Sequence, residues 1–258
     1  MRNLILMGVS FLLLFTKTFG QKQIAAENII LRLNAGESIE LENVDIKGKL
    51  DLTELASKKL QKNKSNYIEY KSIVKSKLRF KNCRFFDDVL AYKNSGEMEE
   101  GFAISLLGKN DSNELYIADF EEDVVFENCT FDGKMPFKYS TFYKKVQFSH
   151  CTFNAKANFK YAIFKQFSDF SDSSFKKYTD FKYAKLMEDS DFFNVHFTNY
   201  ADFKYASFYK RITFKSAIFD DYADFKYADF KDEGNFLNTK FRGIYDFKYS
   251  NGKKYLNR

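Results

Sequence analysis

The chain has 258 residues, a formal net charge of +6, 32 Phe and 17 Tyr, no Trp, one Pro and three Cys. The weak positive balance excludes a strongly acidic surface, and three cysteines cannot all pair. No G-x-S-x-G, P-loop, G-x-G-x-x-G or Cys-x-x-Cys is present, so no familiar nucleophile, phosphate-binding or thiol-redox motif marks an enzyme.

Residues 1–20 read as a cleaved secretory signal peptide. Arg2 supplies the positive end, Leu4 to Phe15 the apolar core, and Thr18-Phe19-Gly20 the small-residue site before Gln21. An apolar core of about 12 residues falls short of the ~20 that span a bilayer. The expected location is therefore secreted or periplasmic, with no membrane span in the mature form, which would carry 39 basic and 35 acidic residues, a net charge of +4. Residues 21–38 are expected to cap a solenoid. Ile24, Ala25, Ile29, Ile30 and Leu33 give a short amphipathic helix over Gln23 to Leu33, ending near Gly36. Residues 39–114 read as early β-turns of that solenoid with two insertions. Leu41, Val44, Ile46, Leu50 and Leu52 set the inward spacing, and 56–77 (Lys-rich) and 87–112 interrupt it.

From Leu115 to Phe247 a large apolar residue, almost always Phe, recurs with gaps that alternate five and six without a slip. A five-residue step rotates a helical side chain by about 140° more than full turns, so no single apolar stripe would form. Phe, Tyr, Thr and Asp are also poor helix formers. An extended chain that turns a corner every five or six residues fits instead. Small residues two before each Phe (Ala157, Ala162, Ser168, Thr179, Ala201) face the same inner side. Four sides of five, six, five and six residues close one 22-residue coil, and successive coils stack about 4.8 Å apart. Phe-Lys-Tyr-Ala/Ser recurs with that period, at 137, 159, 181, 203, 225 and 247. The regular coil therefore covers 115–250, and Tyr245, standing where Ala or Thr sits earlier, suggests that the last turn opens. Residues 251–258 form a charged tail with no visible helical cap.

Units such as Ala157-Asn158-Phe159-Lys160-Tyr161, Ala201-Asp202-Phe203-Lys204-Tyr205 and Ala223-Asp224-Phe225-Lys226-Tyr227 resemble the pentapeptide repeat, A-(D/N)-(L/F)-x-x, in a Phe-rich 11/22-residue variant of the exported bacterial type. The resemblance implies an all-β fold, a right-handed quadrilateral parallel β-helix. It departs from the family at the extra residue on alternate sides (Tyr178, Tyr200, Tyr222 and Ile244). Some members of the family dimerise, so a homodimer through the open C-terminal end is one expectation. Others mimic DNA toward a topoisomerase. That role needs an acidic rod and a cytosolic meeting place, and neither is read here.

Few residues suggest chemistry. His150 and His196 lie in different outward columns without a ligand partner, so no metal and no cofactor are expected. Cys83, Cys129 and Cys151 take the small inward slot. The last two stand one coil apart, which leaves a disulfide open, but buried free thiols are the simpler reading. Acidic clusters at Asp87-Asp88, Glu121-Glu122-Asp123 and Asp220-Asp221 read as solvated charge. The outer columns carry more information. Asp180, Asp202, Asp224 and Asp246 run beside Lys160, Lys182, Lys204 and Lys226, with the two signs expected to cancel. Next to them stand Tyr139, Tyr161, Tyr183, Tyr205 and Tyr227. This ladder is the candidate binding strip, for a protein or glycan partner. Nucleic acid is not expected, because Asp balances Lys along the rod. The leading expectation is an exported, non-catalytic scaffold or binding surface. The alternative is a carbohydrate-binding or polysaccharide-active protein using the same ladder.

Overall fold

The computed structural model describes residues 22–64, 67–95 and 113–256. Within them the chain winds as a square coil whose sides stack, turn upon turn, into parallel ladders. The first side comprises Ile39–Glu42, Leu78–Lys81, Val124–Glu127, Val146–Ser149 and their successors to Gly234–Asn235. The second runs from Lys22–Ala25 through Val44–Lys47 and Arg84–Phe85 to Lys240–Phe241. The third holds Leu50–Asp51 and Val89–Leu90, then Met135–Pro136 through to Tyr245–Asp246. Its two blocks are joined where the Val89 and Ala91 N–H groups donate to the Lys134 and Pro136 carbonyls. The fourth side holds Tyr67–Val74, Asn113–Phe120, Thr141–Phe142 and onward to Asp229–Phe230.

The 22-residue period is the register itself: Phe126 stands opposite Phe148, and Thr179 opposite Ala201. Because each side has only five or six residues, most strands are two residues long. Their backbone groups are satisfied by the coils above and below, as when Phe159 N–H donates to Asp180 O at 2.7 Å and Ile163 N–H to Ser140 O at 2.9 Å. Buried rings fill the bore. Phe80, Phe126 and Phe148 stack within their column at centroid spacings of 5.0 Å, while Phe181 and Phe192, from different sides, meet edge-on at 81°. Both arrangements suit the ring quadrupole.

Two of the four corners require left-handed backbone. Between the first and second sides φ is +52° to +61° at Asn43, Asn82, Asn128, His150, Asp172, Asn194, Ser216 and Asn238. Between the third and fourth sides it is +59° to +66° at six successive tyrosines, Tyr139 to Tyr249. The small inward slots behave as expected. Cys83, Cys129 and Cys151 are buried and free. The Cys129 and Cys151 thiols donate to the Phe80 and Phe126 carbonyls, as the Ser173 hydroxyl does to Phe148 O in the same column. Contact with the Cys129 thiol, then burial, raises Cys83 above an ordinary thiol, so its thiolate is disfavoured.

The structure corrects several expectations. The rod begins before residue 39: Lys22–Ala25 is a strand paired with Val44–Lys47, and the helix occupies only Ala26–Asn34, burying Ala26, Ile29 and Leu33. The inward series starts at Phe120. Leu115 lies outside the buried core, because its five-residue spacing to Phe120 belongs to a strand that runs straight past the corner. The insertions are narrower than 56–77 and 87–112. Val74 and Ser76 are buried, with Val74 opposite Phe120, and Val89 and Ala91 fill the bore. The apolar stretch Phe102 to Leu107 and residues 1–20 lie outside the described residues. At the far end Asn251–Tyr255 forms a 3-10 turn that does cap part of the bore: Tyr255 packs on Phe230 and donates to Asp232 O, and Asn251 Oδ1 accepts from Phe230 N–H. Gly252 is required there, since a Cβ would come within 2.3 Å of the Phe230 ring. The second and third sides remain open, leaving a 620 Å³ hollow lined by Phe241, Tyr245 and Phe247, with Tyr245 51% exposed.

Candidate functional site: the tyrosine corner

The expected ladder is assembled. Rings of Tyr139, Tyr161, Tyr183, Tyr205, Tyr227 and Tyr249 stack in one column at centroid spacings of 4.7–5.0 Å, with interplanar angles of 0–17°. The left-handed corner places each ring directly above the last. Inner rings therefore cover one another's faces and present edges and hydroxyls outward. The candidate binding strip is thus a stack of rings seen from its side. Lys138, Lys160, Lys182, Lys204, Lys226 and Lys248 each hold Nζ 5.0–5.6 Å from the centroid of the following tyrosine.

The expected cancellation between Asp and Lys columns does not occur through ion pairs. Asp180, Asp202 and Asp224 are buried, and their Oδ1 atoms accept the backbone N–H groups of Lys182, Lys204 and Lys226 at 2.8–2.9 Å. The extra-residue column closes over them: the Tyr178 and Tyr200 hydroxyls donate to Oδ2 of Asp202 and Asp224 at 3.3 Å. Burial, opposed by the backbone N–H, pushes Asp180 and Asp224 above the usual carboxylate range. Burial and the neighbouring aspartates push Tyr178 and Tyr200 up as well. These carboxylates fasten the corner, while the lysines stay at the surface.

What the sequence did not reveal is that both insertions leave the coil at this same corner, in the two turns before Tyr139. Lys59–Lys64 and Tyr67–Val74 form an antiparallel hairpin, and Tyr67–Val74 pairs in parallel with all eight residues of Asn113–Phe120. Tyr92–Asn94 covers the other edge. The sheet so formed overhangs Tyr139 and Tyr161, leaving a 510 Å³ groove with Leu115, Ile117 and Ile163 among its apolar lining and Tyr67, Lys62, Glu69 and Lys71 on the overhanging side. Lys62 pairs with Glu69 at 3.0 Å, and Lys71 with Asp119 at 2.8 Å. The signal was present in the register: both repeat interruptions follow the same side of the coil.

Elsewhere, polar side chains serve the rod. Asp87 and Asp88 accept the backbone N–H groups of Gly48 and Lys134. His196 Nε2 lies 2.6 Å from Asp220, which also accepts from Arg242, and both interactions hold the Asp220 carboxyl below its usual range. No group of three metal-ligating side chains occurs among the described residues. None of the described helices is long and apolar enough to cross a membrane.

A stacked-coil solenoid whose sides carry one inward ring each is the architecture of one repeat class. The family model for pentapeptide repeats (nine copies) matches residues 137–185 and 192–240, and the chain is a pentapeptide-repeat protein with the right-handed quadrilateral β-helix of that class. No curated protein and no solved structure matches it.

Proposed function

We propose that the chain is an exported, non-catalytic rod that works as a scaffold, with the tyrosine corner as its binding surface. One observation carries this reading. Six consecutive coils place a bulky aromatic at a left-handed position where the other left-handed corner uses Asn, Asp, His or Ser, and residues held in such strained backbone regions cluster at functional sites. Both hairpins also gather at this corner, and loops from one edge of a solenoid often form its working surface. Export rests on the pattern of residues 1–20. The absence of catalytic motifs and the structural use of the buried acids support a non-enzymatic role. A glycan array and a cell-envelope pull-down, run with the wild type and with Tyr161→Ala/Tyr183→Ala/Tyr205→Ala, test the reading. The wild type should retain a ligand that the folded variant loses. A wild type that retains nothing, or a variant that keeps its ligand, makes the ladder structural.

A second proposal concerns the open end. Ile244 (73% exposed), Tyr245, Tyr249 and the edge of Phe241 leave an apolar rim with unpaired strand edges, which suits pairing with a second copy. Light scattering should show a dimer that Ile244→Lys dissociates; a monomeric wild type refutes it.

A further inference from the structure

We infer that the lysine side of the tyrosine corner binds a linear acidic polysaccharide, laid along the rod axis with a terminal sugar in the groove beside Tyr139 and Tyr161. The inference rests on the corner being the binding surface and specifies the ligand. Lys138, Lys160, Lys182, Lys204, Lys226 and Lys248 recur once per coil along a straight line. The ammonium groups from Lys160 onward lie beside tyrosine rings and in no ion pair with a described residue. The acids of the same side cannot compete for a ligand's place, because Asp180, Asp202 and Asp224 are 4–6% exposed and bonded to backbone N–H groups. At the head of the row that column holds Pro136 and Asn158 in place of aspartate, and the acids beside the groove, Glu69 and Asp119, are paired with Lys62 and Lys71.

The geometry selects among ligands. Neutral sugars and unstacked bases both need open aromatic faces, and rings 4.7–5.0 Å apart leave none along the column. Duplex phosphates wind around their helix and leave a straight row after a few contacts. An acidic peptide strand advances 3.2–3.4 Å per residue, out of step with coils spaced about 4.8 Å apart. A ribbon of equatorially linked pyranoses advances by close to the coil height per unit and turns alternate units over, so the carboxylates along one edge recur at close to two coils and meet every second ammonium of the row. Tyrosine hydroxyls in the same column are placed to bond the sugar oxygens.

The test is biolayer interferometry of the purified chain on immobilised polyglucuronate, hydroxyethylcellulose, polyglutamate and oligo-dT. Binding to polyglucuronate should weaken at least about tenfold between 50 and 200 mM salt, as counterion release requires. Lys160→Gln/Lys182→Gln/Lys204→Gln should weaken it at least about tenfold at low salt. The charge-matched Lys176→Gln/Lys177→Gln/Lys210→Gln, on other corners, should change it by no more than about twofold. Equal losses in the two triple variants, or equally tight binding of any of the other three polymers, overturns the inference. A wild type that captures an envelope ligand but not polyglucuronate overturns the inference and leaves the binding surface standing; one that captures neither overturns both.

Discussion

The two left-handed corners of this rod share a backbone and solve it in opposite ways. At the corner between the first and second sides the residues, His150 apart, are short and polar, and several bond along the column: Asn82 Nδ2 donates to Asn43 Oδ1 at 3.0 Å, Asn128 to Asn82 at 2.7 Å, and Asn194 to Asp172 at 2.8 Å. Asn and Asp tolerate positive φ because their side chains bond locally, whereas other L-residues lose roughly 1–2 kcal/mol there. At the tyrosine corner that cost is met in part by stacking, about 0.5–1.5 kcal/mol for each ring pair. Six rings make five such contacts, so the stack offsets only about half of its own backbone strain. Stability alone therefore gives little reason to prefer Tyr to Asn, and the difference between the corners points outward, to what the surface meets.

Substitutions can break this comparison, and the largest effect belongs to the stack. Tyr183→Ala keeps the left-handed demand and removes two ring contacts, so it should cost about 2–3 kcal/mol in chemical denaturation. Tyr183→Gly should recover about 1 kcal/mol of that loss by releasing the strain. If Ala and Gly are equal there, the corner is unstrained and its argument for function fails. A smaller change, of opposite sign, sits behind the first tyrosine. Ser140 is fully buried and its hydroxyl has no partner among the described residues, while the same slot holds Ala162, Ala184, Ala206 and Ala228 in later coils. Ser140→Ala should stabilise by about 1–2 kcal/mol. A loss on that substitution would mean the hydroxyl is bonded.

At the polar corner, Asn194→Ala should cost only about 1 kcal/mol, and Asn194→Gly close to nothing. A loss there as large as that of Tyr183→Ala would erase the distinction between the corners. The last prediction concerns the acids behind the tyrosine corner and is a matter of sign. The folded state holds the protons of Asp180 and Asp224 more tightly than the unfolded chain, whose carboxyls titrate near 3.8. Their contribution is thus most favourable below that pH and is lost as pH rises through the raised folded values. Asp180→Asn/Asp224→Asn, following the precedent of Asn158 in the same column, should raise the denaturation midpoint at pH 7 and have no effect below about pH 4. An unchanged midpoint at neutral pH would show the carboxylates to be hydrated.

Much of this molecule was legible in the chain because one spacing does two jobs. A ring every five or six residues both fills the bore and sets the register, so the square section, the 22-residue stacking and the Tyr, Lys and Asp columns could be read before any coordinates. Leu115 and the insertion boundaries were misread where chain segments leave the coil, since an apolar residue at the right interval looks the same on a coil side and on an overhanging hairpin. Only the tertiary structure decided which charges face water, because the aspartates are covered by tyrosines from the neighbouring coil. It also decided that the tyrosine rings hide one another's faces and that both hairpins overhang the same corner. Periodicity along a chain fixes what stacks on what; burial and ring orientation depend on groups 22 or more residues away, and those contacts exist only once the coils are closed.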